Sequence, residues 1–195
     1  MSALRTLFLD SLASRYDAEK RLILSMPVIA KRSTCKDFRE LTRRHFKETM
    51  GHVKKLEKVF EYFATEAKTT KCAIMINLLK QWDQMANAYK DSPALDAALI
   101  SCAQKIEHQG IASCGCLAEW AGLLGNKEAT SLLRDILSEK KAADAAWSYL
   151  ARSRANNEAL GEDNVIKPQR AGAKPLNRRA GVRPRTFNRI HPVLM

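Results

Sequence analysis

The chain has 195 residues, of which 46% are hydrophobic and 28% are charged, and these proportions are typical of a soluble globular protein with one domain of ordinary size. No apolar run approaches the roughly 20 residues that span a bilayer, and residues 1–10 lack a basic region followed by a long apolar stretch, so neither a membrane span nor secretion is predicted. Five cysteines without the spacing of a disulfide framework favour a reducing, cytoplasmic location.

Apolar residues recur at steps of three and four along most of the first 152 residues, a spacing that predicts helices. Four long helices are predicted, over residues 3–31, 37–66, 92–124 and 127–152, with a weaker helical stretch over 74–89. The first two and the last two long helices are joined by short loops, so each pair is expected to form an antiparallel hairpin. The sequence therefore predicts an all-α, ferritin-like four-helix bundle whose long crossover contains a short extra helix.

The C-terminal part of the chain has a different composition. The net charge is +12, and the residues after Asp163 include eight basic side chains, no acidic ones and four of the six prolines. Such a segment buries too little apolar surface to offset the entropy of ordering it, which predicts a bundle over residues 1–154 and a disordered tail over 155–195. The tail is a candidate for contacting nucleic acid or another acidic surface, and a solubilising or localising role is the alternative.

Each long predicted helix carries an ionisable side chain on or near its apolar stripe. The stripe of the second helix passes through His45, Glu48 and His52. A carboxylate that faces a helical core costs several kcal/mol unless a partner neutralises it. Four helices with such groups predict a shared polar site in the bundle centre, and iron or manganese held by carboxylates and imidazoles is one chemistry that uses such a site.

The candidate ligands for one or two Fe or Mn ions come from all four helices. Glu48 and His52 are four residues apart, a spacing that keeps both side chains on one helical face. His45 lies one turn away and is predicted to pack near a bundle end, whereas His108 points about 100° away from its neighbour on the helix, towards the surface. The predicted metal ligands are Glu19, Glu48, His52, Glu107 and Asp144.

Several short runs resemble the YciE/YciF family of ferritin-like stress proteins. They are YDAEK at 16–20, HFKET at 45–49, DAALI at 96–100, QKIEH at 104–108 and the segment 139–144. The resemblance covers about residues 7–151 and leaves the basic tail outside. It implies a four-helix bundle, often a homodimer, with a dimetal centre and a link to stress responses. By position it also implies the same candidate ligands on all four helices.

Two positions depart from the pattern of that family. Members commonly read Glu-His-Tyr-Glu where residues 107–110 here read Glu-His-Gln-Gly, and Glu-Glu-Lys where residues 139–141 read Glu-Lys-Lys. Gly110 therefore removes one carboxylate, and Lys140 places an ammonium at a ligand position. Two alternatives follow: a centre that still binds Fe or Mn, or a metal-free bundle in which Lys140 sits among Glu19, Glu48 and Glu107 in place of a metal.

Overall fold

The computed structural model describes residues 2–161. Within that range the chain forms five helices of 16 or more residues and no strand, as the all-α prediction requires. A π-helical turn, Ala151–Ala155, and a short helix, α6 (Asn156–Leu160), follow the last long helix. The long helices are α1 (Ala3–Ala30), α2 (Lys36–Tyr62), α3 (Ala73–Ala88), α4 (Leu95–Leu123) and α5 (Lys127–Leu150).

The bundle consists of α1, α2, α4 and α5, and these four helices surround a common interior. Helix α2 packs against α1 and α5, and α4 packs against α5 and α1, so α1 and α5 are diagonal partners. The N-terminal part of α1 shares a cluster with the C-terminal parts of α2 and α4 and with the N-terminal part of α5, which gives an up-down-down-up arrangement. Helix α3, in the crossover, covers α1 and α4. The predicted ferritin-like topology with one long connection is confirmed.

The helix boundaries follow from local capping. Helix α2 ends at Tyr62, four residues earlier than predicted, because the backbone N–H of Thr65 bonds to the Phe60 carbonyl at 3.1 Å while Ala64 adopts a left-handed φ of 50°. Helix α5 begins where the Asn126 side chain accepts a hydrogen bond from the Ala129 N–H at 2.9 Å. The loop before it turns at Gly125, whose φ is +78°.

The apolar interior of the bundle is divided into two clusters. One includes Phe38, Leu99 and Trp147 at the end where α1 and α5 finish. The other includes Phe8, Leu56 and Leu133 at the opposite end. Charged and imidazole side chains lie between the two clusters, and we call this set the polar layer.

Two sequence predictions concern the C-terminal tail and the homodimer. Residues 155–160 of the predicted tail are helical, whereas residues 162–195, and with them the predicted contact with nucleic acid or another acidic surface, lie outside the described residues. The homodimer stays a prediction. None of the helices in the range 2–161 combines the length and the apolar character that crossing a membrane requires.

Candidate functional site

The polar layer is built from every helix of the four-helix bundle. Its side chains occupy core-facing positions in register with apolar neighbours, so that Arg15 and Glu19 follow Leu12 at steps of three and four on α1. None of its members exposes more than 3% of its surface. The members are Arg15 and Glu19 from α1, His45 and His52 from α2, Glu107 from α4 and Lys140 from α5.

Lys140 lies at the centre of the polar layer. Its Nζ is 2.9 Å from Glu19 Oε1 and 3.7 Å from Glu107 Oε2, so one ammonium neutralises carboxylates from two different helices. Burial alone lowers the pKa of Lys140, but the two carboxylates outweigh it and the pKa is raised. The side chain is therefore a permanent cation between α1 and α4.

Arg15 supplies a second cation to the same carboxylate. Its Nη2 is 2.9 Å from Glu19 Oε1, and its Nη1 donates a hydrogen bond to Gln109 Oε1 at 2.5 Å. Burial raises the pKa of the Glu19 carboxyl, yet Arg15 and Lys140 together hold that pKa well below its ordinary value. Glu19 is consequently ionised and has two cationic nitrogens on one oxygen.

The two histidines of α2 meet different carboxylates. His45 Nε2 is 2.7 Å from Glu107 Oε1, and His52 Nε2 is 2.8 Å from Glu139 Oε2. His52 Nδ1 is also 3.8 Å from Glu19 Oε1. Glu139 is partly exposed and pairs with Lys55 as well, so this arm of the network reaches the protein surface.

A glycine provides the space for the Lys140 side chain. A Cβ atom built on Gly110 would lie 2.4 Å from Lys140 Cδ and 2.8 Å from Cε, both well inside van der Waals contact. Glycine in a helix interior costs about 1 kcal/mol relative to alanine, so its presence there has a packing reason. The two departures noted in the sequence, Gly110 and Lys140, are thus direct neighbours, and the lysine fills the space that a side chain at position 110 would occupy.

Two of the predicted ligands lie away from the centre. Glu48 keeps 33% of its side chain exposed and pairs with Arg44 and His45 at the edge of α2. Asp144 faces α4, where Gln104 and His108 are its polar neighbours at 3.5 Å. Glu48 and Asp144 therefore lie outside the polar layer, whereas Glu19, His52 and Glu107 lie within it, and the assignment of all five as metal ligands stays a prediction.

The residues of the polar layer do not fit a two-metal centre. The described residues contain no group of three or more His, Cys, Asp or Glu side chains arranged to hold a metal ion. The two carboxylates of the polar layer, Glu19 and Glu107, already face the cations Lys140 and Arg15, so a divalent ion would add positive charge to carboxylates that are already neutralised. The predicted Fe or Mn ligand set therefore stays a prediction with these contacts against it.

Comparisons with known proteins place the chain in a family. The family model described as "Domain of unknown function (DUF892)" matches residues 3–160. The chain belongs to the DUF892 family. Protein YciF from Escherichia coli strain K12 is 32% identical to this chain over 160 residues, which cover 82% of this chain and 96% of that protein.

Solved structures extend the comparison with DUF892 proteins. The crystal structure of the E. coli stress protein YciF matches with a TM-score of 0.77 at 32% identity, covering 80% of this chain and 99% of that one. YcfI of Rhodopseudomonas palustris matches with a TM-score of 0.73 at 29% identity, covering 75% and 94%. A Xanthomonas campestris protein with 18% identity and a TM-score of 0.61, covering 77% and 92%, shares the fold.

Two members of the polar layer, His45 and Arg15, and its neighbour Glu139 were not identified from the sequence. His45 was predicted near a bundle end but contacts Glu107 in the polar layer. Arg15 was not singled out, although it lies one turn before Glu19 on the same stripe, a spacing that pairs opposite charges. Glu139 lies at the edge of the apolar stripe of α5, so the apolar period did not indicate it. Its side chain reaches His52 from that edge.

His45 gives the stability of the bundle a pH dependence. Burial lowers its pKa, but the Glu107 carboxylate outweighs burial and raises the pKa from 6.5 to about 9. Because the folded-state pKa lies above the unfolded value, this contribution is complete below about pH 6.5 and is lost as the pH rises through about 9. We expect the free energy of unfolding, measured in urea at a series of pH values, to fall over this window in the wild type and much less in His45→Gln.

The loss of stability at acidic pH provides a reference that the wild type and His45→Gln share. The pKa values of Glu19 and Glu107 are lowered in the folded protein by their cationic partners, against the effect of burial. Their contribution is therefore present above their unfolded pKa, about 4.5, and is lost as the pH falls below it. The wild type and His45→Gln should both lose stability as the pH falls below about 4.5. Parallel curves of the free energy of unfolding against pH for these two proteins between pH 6.5 and 9 would contradict the role given to His45.

Proposed function

We propose that this chain is a structural, metal-free member of the DUF892 family. The observation that carries the proposal is the position of Lys140 Nζ, 2.9 Å from Glu19 and 3.7 Å from Glu107, where the ammonium supplies the positive charge that a metal would bring. A buried charge cluster of this kind orients helices without chemistry of its own.

The relatives support the same proposal. E. coli YciF is described as a stress protein, and the R. palustris relative is provisionally described as a structural protein. By similarity to them, we assign this chain a structural role in a stress response. Catalysis by a bound metal is not needed for that role.

The test is metal uptake by the full chain. After anaerobic incubation with Fe²⁺ or Mn²⁺ and desalting, elemental analysis should find less than about 0.2 metal per wild-type chain. Lys140→Glu removes the internal cation and adds a carboxylate, so its uptake should rise several-fold and metal should raise its thermal midpoint. Lys141→Glu makes the same charge change at an exposed position and should behave like the wild type.

A second candidate retains one metal ion in the centre. The observation in its favour is Glu19 Oε2, a buried carboxylate oxygen that has no hydrogen-bond partner among residues 2–161. This candidate predicts about one metal per wild-type chain, lost in Glu19→Gln. That result, or a Lys140→Glu variant with no gain in uptake, would overturn the metal-free proposal.

A further inference from the structure

A pocket lies where the N-terminus of α3 meets α1 and α4. Its volume is about 610 Å³, within the range of small-molecule sites, roughly 300–1,000 Å³. It is the place where the polar layer comes closest to the start of α3, because Arg15 belongs to both. Its lining includes Asp10 and Arg15 from α1, Ala73 and Ile74 from α3, and Gln109 and Trp120 from α4.

Arg15 brings a buried cation to this pocket. It exposes 1% of its surface, and its Nε has no hydrogen-bond partner among residues 2–161. Glu19 is its acidic partner, but the same carboxylate oxygen is also 2.9 Å from Lys140 Nζ, so the charge of Arg15 is only partly compensated. On the side of the pocket, Nη1 donates to the half-buried Gln109. An unused N–H on a buried guanidinium indicates a site for a hydrogen-bond acceptor.

The start of α3 adds backbone donors to the same end of the pocket. Its N-cap residue, Cys72, provides no side-chain hydrogen bond to the helix. The Cys72 N–H donates to Asp17 Oδ2 at 2.9 Å, whereas the N–H groups of Ala73 and Ile74 have no partner among residues 2–161. Helix N-termini bind phosphate through such free N–H groups and through the positive end of the helix dipole. Arg15 and α3 therefore offer donors from two different elements.

The opposite end of the pocket has a different character. Asp10 lies five residues before Arg15, roughly 7.5 Å along α1. Because the N-terminal part of α1 packs against the C-terminal part of α4, Trp120 lies at the same end as Asp10. Trp120 is half-buried, whereas the other two tryptophans expose 2% or less. An aromatic face beside a carboxylate suits a flat ring and groups that donate hydrogen bonds.

These two ends select an elongated ligand with an anionic head and an aromatic part. An inorganic phosphate alone would leave Trp120 uncovered, and the broad surface of a second copy of this chain would leave the buried donor of Arg15 unused. We propose that this pocket binds a nucleoside 5′-monophosphate. The phosphate accepts hydrogen bonds from Arg15, in place of the Gln109 amide, and from the first N–H groups of α3. The ribose hydroxyls donate to Asp10, and the base stacks on Trp120.

The test is calorimetric titration of the full chain with adenosine 5′-monophosphate (AMP). Adenosine and inorganic phosphate are the comparison probes, because each carries one half of the ligand. We expect one saturable AMP site per chain and at least about tenfold weaker binding of either half. Binding should also quench tryptophan fluorescence, and Trp120→Phe should abolish the quenching, since Trp82 and Trp147 are buried.

A proline variant at the start of α3 tests the backbone donors and leaves the helix intact. Ala73 is the first residue of α3, a position that proline favours, and the extended backbone of Cys72 (φ −85°, ψ 92°) accommodates a proline after it. Ala73→Pro removes one N–H from the pocket and should weaken AMP binding about tenfold.

The matched control is Ala3→Pro. Ala3 is the first residue of α1, follows a residue with extended backbone and does not line the pocket, so this variant should change AMP binding less than about twofold. Equal effects of the two proline variants would overturn the proposal. So would the absence of saturable AMP binding, or binding of adenosine or of inorganic phosphate as tight as that of AMP.

Discussion

Lys140→Met is expected to lower the free energy of unfolding by about 3–5 kcal/mol, the usual loss when one partner of a buried ion pair is removed. Methionine keeps much of the length of the lysine side chain, so the variant removes charge more than volume. Glu19 and Glu107 would then share the interior with Arg15, His45 and His52, without the ammonium that now contacts both. Urea unfolding at neutral pH measures the loss.

The neighbouring residue provides the control for Lys140→Met. Lys141 lies on the exposed face of α5, so Lys141→Met deletes an equal charge outside the polar layer. Surface substitutions of this kind usually change stability by less than about 0.5 kcal/mol. If both variants lost stability equally, the effect would come from net charge and the central role of Lys140 would be refuted.

Gly110→Ala is expected to destabilise the protein even though alanine is the better helix former. The added Cβ would lie 2.4 Å from Lys140 Cδ, so the lysine must shift the carbons that carry the ammonium now 2.9 Å from Glu19. Overpacking of a core costs about 1–3 kcal/mol, while the gain in helix propensity is about 1 kcal/mol. A net loss of up to about 2 kcal/mol in thermal or urea unfolding is the expected result.

Gly115 is the matched control on the same helix. A Cβ built there meets nothing within 4 Å, so Gly115→Ala should stabilise by up to about 1 kcal/mol. A double-mutant cycle with Lys140→Met tests the coupling directly, because Gly110→Ala should cost less once the ammonium is gone. Opposite signs for the two alanine variants support the packing argument, and a gain at both positions would contradict it.

The sequence was sufficient for the fold because the apolar period of the helices is long and regular. For Lys140 the apolar period was not enough: the resemblance to the family placed it at a ligand position, and one of the two alternatives put it among Glu19, Glu48 and Glu107, of which Glu19 and Glu107 lie near its Nζ. The apolar period failed for Glu48, because the buried positions of α2 on either side of it are His45, Thr49 and His52.

Two threonines that face the core of the bundle on α2 explain why Glu48 does not. The Thr49 hydroxyl donates to the His45 carbonyl at 2.8 Å, and Thr42 bonds to Phe38 in the same way. A threonine satisfied by its own helix can face the core at little cost, which leaves Glu48 free to turn outwards. On α5 the inward position next to Asp144 is taken by Ala143.

The division of the interior into two apolar clusters by the polar layer has a consequence for how the chain selects its structure. Apolar contacts alone allow one helix to shift along its neighbours, because one leucine contact resembles the next. A slip of α5 by one turn would carry Lys140 about 5.4 Å along the bundle axis and leave Glu19 and Glu107 without it. The polar layer therefore fixes the register of the four helices along the bundle axis, because only one register gives every charged side chain its partner.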